Sequence, residues 1–530
     1  MLDFVRQFYD KRIWWVFGGL FLAHLIAASV QESTWAWLPL IGIGLGTAVA
    51  SYYRLEWGLA IAFLELFIGG HGHLIDVSVG GFSLSIREVI FAAVMGAWLL
   101  LVLLRKVKPE FIPHRDLPFA LIGLAVAIAA IKGFATNEAG AAFDDMNGYL
   151  TLLYFFPMIS LRWNGERRRL LLQTLAIAAI WVAVTTLVYL YAFTHLPGLA
   201  SHELYTFVRD ARLAEVTLQT SGRVVDFLGN APWYFRVFQQ SQIVVAIFEL
   251  LLLAATFLMW RERHEKLPWF AAGLHALMIA VILASLSRSF WIGCVAGLAT
   301  ILVFVFMTRP VIVTLIKRHA QLAGISLIAA FILFLLVALP LPPRPDLSES
   351  SFYKGRDENT REVAVSSRWN LLRPMVDEIW DDPIFGSGFG ETVTFTSDDP
   401  RLRAVNPSGE VTTYRFEWGY HDLWLKTGIL GLLAFGWFFV TTMSVALESV
   451  MRRDKRFWIV VGLAAGMVML YVTHIFSPYL NHPIGLAYLV FILPFFPWEE
   501  YQLAQDEAAE EAALQPMSIV KPTIGVAFKQ

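Results

Sequence analysis

Apolar runs of about the length of a bilayer-crossing helix recur along this chain from residue 13 to residue 497. A membrane-spanning helix needs about 20 mostly apolar residues, because no water is at hand and the backbone must satisfy its own polar groups. Such runs fall at 13–30, 35–52, 55–69, 86–104, 117–134, 144–161, 170–195, 236–260, 268–286, 289–308, 320–340, 420–447, 457–474 and 484–497. About fourteen spans are therefore expected, the third and the last being short. Composition agrees: 57% of the 530 residues are hydrophobic and only 16% charged, a balance that soluble domains rarely show. The expected fold is an all-α integral membrane protein with one large outer loop containing short helices.

Charges between the runs orient the chain. With a cytoplasmic N-terminus, the inner gaps contain Arg54, RKVKPEFIPHR (105–115), RWNGERRR (162–169), RERHEK (261–266), RPVIVTLIKR (309–318) and RRDKR (452–456). Together with Arg6, Lys11 and Arg12 they hold 22 Lys or Arg, whereas the short outer gaps hold Arg87, Lys132 and Arg288. This is the positive-inside pattern. An even span number returns the acidic tail EEYQLAQDEAAEEAA (499–513) to the cytoplasm, where a solvated, partly disordered end is expected. No cleavable signal peptide is expected, since the first run lacks a small-residue cleavage site. Cys294, the sole cysteine, excludes intrachain disulfides and a thiolate metal site. The net charge of -2 says little about partners, because the charges sit in separate loops.

Four regions follow: a bundle of about eleven spans at 1–340, an outer loop at 341–419, about three spans at 420–497, and the tail at 498–530. The outer loop is too long for a simple connection, so it is functional or folded. It leaves the membrane through proline-rich LPLPPRPD (339–346). In SSRWNLLRPMVDEIWDD (366–382), apolar residues at 369, 372, 376, 379 and 380 predict an amphipathic helix over the membrane face. DDPIFGSGFG (381–390) supplies turns. A second outer segment covers 196–235.

Polar candidates stand out against this background. Arg288, in SLSRSFWIG (285–293), occupies a tight outer turn. It is either a snorkelling arginine or an oxyanion ligand, and its place outside, against the charge bias, favours the ligand. Guanidinium grips phosphate with a planar fork at fixed charge. Arg236, in WYFRVFQQSQ (233–242), is expected at the outer start of a helix, with Gln239, Gln240 and Gln242 facing a cavity; the alternative is an interfacial anchor beside Trp233 and Tyr234. Arg223 is the fallback for the same role. His421, in WGYHDLWLKTGILGLLAF (418–435), opens the run after the long loop. It is a candidate base, since neutral imidazole accepts a proton near neutral pH; the alternative is a generic interfacial histidine. Asp422 is not expected to orient it, because adjacent helical residues project about 100° apart. Asp422 and Lys426 instead have the i,i+4 spacing of an ordinary helix-surface pair. HGHLID (71–76) offers too little for a metal site, so a polar loop and no metal are expected. His474 and His482, in THIFSPYLNHP (473–483), either line the outer cavity or cap helices. Nucleotide-binding loops, hydrolase motifs and nucleic-acid motifs are absent from the sequence.

Three stretches in this order resemble the O-antigen ligase and O-antigen polymerase family: SLSRSFWIG, RWNLLRPMVDEIWDDPIFGSGFG and YHDLWLKTGILGLLAF. The motif-bearing part covers roughly residues 230–475. The N-terminal half matches only as a generic multi-span region. The resemblance implies a GT-C-like glycosyltransferase of the bacterial inner membrane with its site facing the periplasm. Its donor would be a glycan on undecaprenyl diphosphate, its acceptor a glycan or lipid hydroxyl, with membrane lipids around it and no cofactor. It implies that Arg288, with Arg236, binds the diphosphate and that His421 is the general base. Two departures, Asp422 in place of the usual Asn and Lys426-Thr427 in place of an acid, bear on acceptor choice more than on the reaction.

Elementary chemistry agrees. Without nucleotide sugars outside the cytoplasm, the donor must arrive activated. A lipid diphosphate leaves readily once its developing charge is stabilised, and arginines do that without a metal. A single displacement inverts the anomeric centre. Ligase-like transfer is the first expectation, with repeat-unit polymerisation as the alternative. A transporter is disfavoured: internal repeats and interrupted helices mark that class, and the sequence displays neither.

Overall fold

The apolar runs fold as helices that bury one another's inner faces. A computed structural model describes residues 13–514 except 32, 80–81, 197, 220–233, 260–267, 309–311, 339–358, 398–402, 404–405 and 454–456. In chain order these form α1 (Ile13–Val30), α2 (Trp37–Tyr53), α3 (Leu55–Ile68), the ribbon β1–β2 (Asp76–Val79 and Phe82–Ser85), α4 (Ile86–Leu103), α5 (Pro113–Thr136) and α6 (Ala139–Met146). Then come α7 (Phe155–Ile159), α8 (Gly165–His195), α9 (Gly198–Asp210), the ribbon β3–β4 (Glu215–Gln219 and Tyr234–Phe238), α10 (Gln242–Ala254), α11 (Trp269–Ala284), α12 (Arg288–Met307) and α13 (Ile312–Ala338). The outer loop holds α14 (Asn359–Asp381) and the ribbon β5–β6 (Val393–Thr396 and Glu410–Thr413). The chain ends with α15 (Gly419–Arg452), α16 (Phe457–His474), α17 (Pro483–Phe491) and α18 (Trp498–Leu514). All three ribbons are antiparallel. Local signals set several boundaries. Ser85 and Glu88 form a reciprocal capping box at α4, and Asn164 caps α8.

Among the described residues nine helices are long and apolar enough to cross a membrane, and Gln242–Leu258, Trp269–Ala284 and Pro483–Phe495 are shorter apolar helices. The chain is a multi-pass membrane protein of mostly helical structure. One expected span is not a helix: 144–161 breaks into α6, a 3₁₀ stretch at Asn147–Tyr154 and α7. There Gly148 closely approaches the Asn481 carbonyl and the Pro483 ring, and Pro157 lacks an amide donor. The expected start of the span at 236 is strand, with the helix beginning at Gln242. The acidic tail is helical through Leu514.

Some of the loops expected on one side meet each other at either end of α5. At one end Arg54 and Arg167 reach Glu56, Arg162 reaches Glu110, and Tyr501 packs on His114. At the other, the residues after α5 meet the outer loop, with Asn137 donating to the Phe389 carbonyl. Helix α5 separates the two by about 36 Å at 1.5 Å per residue.

The amphipathic helix of the outer loop is present, but its buried stripe is offset. Leu371, Met375 and Ile379 are buried with Val393, Phe416 and Leu425, whereas Trp369 and Trp380 are exposed. The two tryptophans instead lean on Trp418 and Trp424, with ring centroids 4.8 and 6.2 Å apart.

Candidate functional site

Helix α15 is interrupted. Gly428 sits at φ 67° and ψ -173°, which separates a short outer piece carrying His421 from the long remainder. An interrupted helix exposes backbone polar groups, tolerated at membrane depth only where protein covers them. The cover is DDPIFGSGFG. Ser387 N donates to the Leu425 carbonyl (2.7 Å) and Gly388 N to that of Lys426 (3.2 Å). Ile429 N donates to the Pro383 carbonyl (2.9 Å) and Leu430 N to that of Ile384 (3.4 Å). On its other side the loop docks on α5, where Gly388 (φ 89°) lies so close that a Cβ there would stand 2.5 Å from Gly133 N. Lys132 also holds the loop, through Asp382 and the Gly386 carbonyl. The turns expected at 381–390 are thus present, and they serve as the plug of a broken helix. This break overturns the expectation that no helix is interrupted.

The segment 473–482 joins the motif-bearing elements at one mouth. Ser477 Oγ is 3.1 Å from Ser289 Oγ, beside Arg288. Tyr479 donates to the Gln240 carbonyl (3.0 Å) and packs on Phe290 (5.6 Å). On the opposite flank the His474 ring packs on Tyr420 (4.7 Å), next to His421, and Phe476 packs on Trp418. His474 and His482 act as caps: each Nδ1 accepts a backbone amide, from Leu480 and Ile484 respectively.

At this mouth Arg288 begins α12 and is exposed, with no ion pair or hydrogen bond among the described residues. The other two cations expected outside against the charge bias are neutralised, Arg87 by Glu65 and Lys132 by Asp382. Arg236 is buried in β4, and its Nε donates to the Ser285 carbonyl (2.6 Å), so it braces the turn before Arg288. Arg223 and Trp233 lie outside the described residues. His421 is half-buried, its ring 6.2 Å from that of Trp418, with no hydrogen bond among the described residues.

Asp422 turns away from His421, as its helical position requires, but the surface pair expected with Lys426 is a buried network. Lys426 is 2% exposed and Asp422 4%. The ammonium lies 2.6 Å from both Asp422 and Asp145 and donates to the Tyr414 carbonyl (3.0 Å). Asn481 donates to Asp422, and Asp145 accepts Gly390 N (2.9 Å). A charge this deep survives because it is paired and hydrogen-bonded. Asp145 and Asn481 escaped sequence reasoning. An acid inside a run taken as a span was the available signal for Asp145. In HGHLID, His73 Nδ1 meets Asp76 (3.1 Å), and no three His, Cys, Asp or Glu side chains among the described residues are placed to hold a metal.

Residues 273–436 match the family model described as O-antigen ligase. The matched part, about a third of the chain, supports assignment to the O-antigen ligase and polymerase family. The matched segment contains the Arg288 turn, α14, the plugging loop, the helix break and His421, whereas Arg236, Asp145 and the 473–482 segment lie outside it. Members of this family are membrane enzymes of the ligase and polymerase type, and the match supports glycosyl transfer of that general kind. Neither the curated proteins nor the solved structures contain a match to the chain.

Proposed function

We propose that the chain catalyses inverting glycosyl transfer at the periplasmic face of the bacterial inner membrane, from undecaprenyl diphosphate to an acceptor hydroxyl, in the manner of an O-antigen ligase. The carrying observation is Arg288: exposed, unpaired among the described residues, and joined through 473–482 to the helix turn of His421. Its guanidinium grips the donor diphosphate, and Arg236 holds the turn that presents it. His421 takes the proton from the acceptor hydroxyl while that oxygen bonds to the anomeric carbon. The bond from that carbon to the phosphate oxygen breaks, and the lipid diphosphate leaves with its electron pair, its charge stabilised by Arg288. No metal enters the mechanism. The plugged break fixes the outer turn of α15, which keeps His421 aligned.

Deletion of the gene followed by analysis of the accumulated lipid-linked glycan tests this reading. Full-length chains left on the carrier support a ligase. Single repeat units point to a polymerase, and a normal carrier pool refutes transfer from it.

A further inference from the structure

A second cationic corner flanks the mouth beside His482. Gly70 N donates to Ser241 Oγ (3.2 Å), which ties the His71 loop to the start of α10. Arg87 binds both oxygens of Glu65 and the Gly70 carbonyl, so its charge is spent locally. Arg212 differs. It is exposed, at φ 48°, and among the described residues its guanidinium's only hydrogen bond is with a ring nitrogen, His73 Nε2 at 3.3 Å. His73 Nδ1 faces Asp76, to which Ser83 also donates. That ring nitrogen positions the guanidinium, which has no carboxylate partner among the described residues. His71 makes no hydrogen bond among the described residues, and its ring packs on His482 at 5.7 Å. Although it reaches solvent, the protein around its ring and the charges of Arg87, Arg212, His73 and Arg415 push its pKa down to about 4. It stays neutral, with one ring N–H to donate. Arg415 is itself paired with Asp144 at 3.6 Å.

We propose that Arg212 and His71 form a second oxyanion subsite that takes a phosphate group carried by the acceptor. A guanidinium with no counter-ion among the described residues, beside a neutral imidazole donor, suits a phosphate, which offers several acceptor oxygens. Ring contacts of His71 with His482 (5.7 Å), His482 with Tyr479 (6.0 Å) and Tyr479 with Phe290 (5.6 Å) stand between this corner and Arg288. Two anionic groups can therefore be held on either side of 473–482. The assignment to the acceptor rests on the transfer reading above.

The test uses full-length protein in nanodiscs and an acceptor prepared with and without its phosphate groups. Arg212→Gln should raise the KM for the phosphorylated acceptor about tenfold, the order expected for one lost charged hydrogen bond, and leave the donor KM unmoved. Arg212→Lys, which keeps the charge but not the fork, should fall between. The dephosphorylated acceptor should be used alike by all three proteins. An equal KM rise for both acceptors overturns the phosphate assignment. An effect that vanishes when anionic phospholipid is replaced by zwitterionic lipid overturns the acceptor assignment in favour of a lipid headgroup. A second readout needs no transfer. In an Arg288→Ala background, inorganic pyrophosphate should raise the thermal midpoint, and adding Arg212→Gln should cancel the rise. If the wild type transfers nothing yet this rise depends on Arg212, the transfer reading falls and the subsite stands. If the rise is absent, the subsite falls.

Discussion

Alanine at Gly428 probes the support beneath His421. The backbone there has φ 67° and ψ -173°, a region nearly confined to glycine and costing other residues of order 1–3 kcal/mol. A Cβ would also collide with the Ile384 carbonyl and stand 2.6 Å from Phe385 N. Relief requires expelling 383–388 or straightening the helix, and either move breaks the four backbone hydrogen bonds of the plug. Strain and clash together weaken docking by about 3 kcal/mol, which is roughly a hundredfold in the docking equilibrium. Amide exchange at Ser387, Gly388, Ile429 and Leu430 should accelerate by about that factor, and transfer by the purified enzyme should collapse. Gly436→Ala is the control. It lies in the same helix, nothing stands within 4 Å of the added Cβ, and wild-type exchange and activity are expected. Wild-type exchange in Gly428→Ala would refute the plugged break as the support of the site.

Other substitutions separate chemistry from scaffold. His421→Ala and Arg288→Ala should each abolish transfer with normal protein in the membrane; near-normal product from either removes that residue from the mechanism. Lys426→Met strands the buried Asp422 and the half-buried Asp145 and should destabilise by about 3 kcal/mol, seen as a lowered thermal midpoint that Asp145→Asn and Asp422→Asn added together restore in part. A chelator should leave transfer intact, and inhibition reversed by a divalent ion would revive the histidines of HGHLID as a metal site. Lys132 holds the Asp382 carboxyl below its ordinary value of 3.8. Its contribution to loop docking is full above that value and is lost as pH falls through the lowered pKa. Lys132→Met should remove this acid sensitivity of loop exchange.

Most helix positions were legible because hydropathy is a local signal. Ile13–Val30 and Phe457–His474 coincide with their apolar runs. Among the described residues, the basic gaps around Arg54, 105–115 and 162–169 do meet the same partners, Glu56 and Glu110. Of the candidate site, the sequence singles out Arg288 and His421, which are polar where their neighbours are apolar. Arg236 was legible as a residue to watch but not in its place, because an apolar stretch of YFRVF reads equally as strand or helix.

The sequence alone determined a multi-pass helical chain with polar groups concentrated at one set of connections, because crossing a bilayer imposes a one-dimensional constraint of length and hydropathy. It could not determine the break at Gly428, since KTGILG is compatible with a continuous helix until DDPIFGSGFG arrives from some 40 residues away to take up the freed backbone groups. Nor could it determine that Lys426 is buried. Its ion-pair partner Asp145 lies 281 residues earlier, and only the packing of α5, α6 and the plugging loop against α15 brings the two charges within hydrogen-bonding distance.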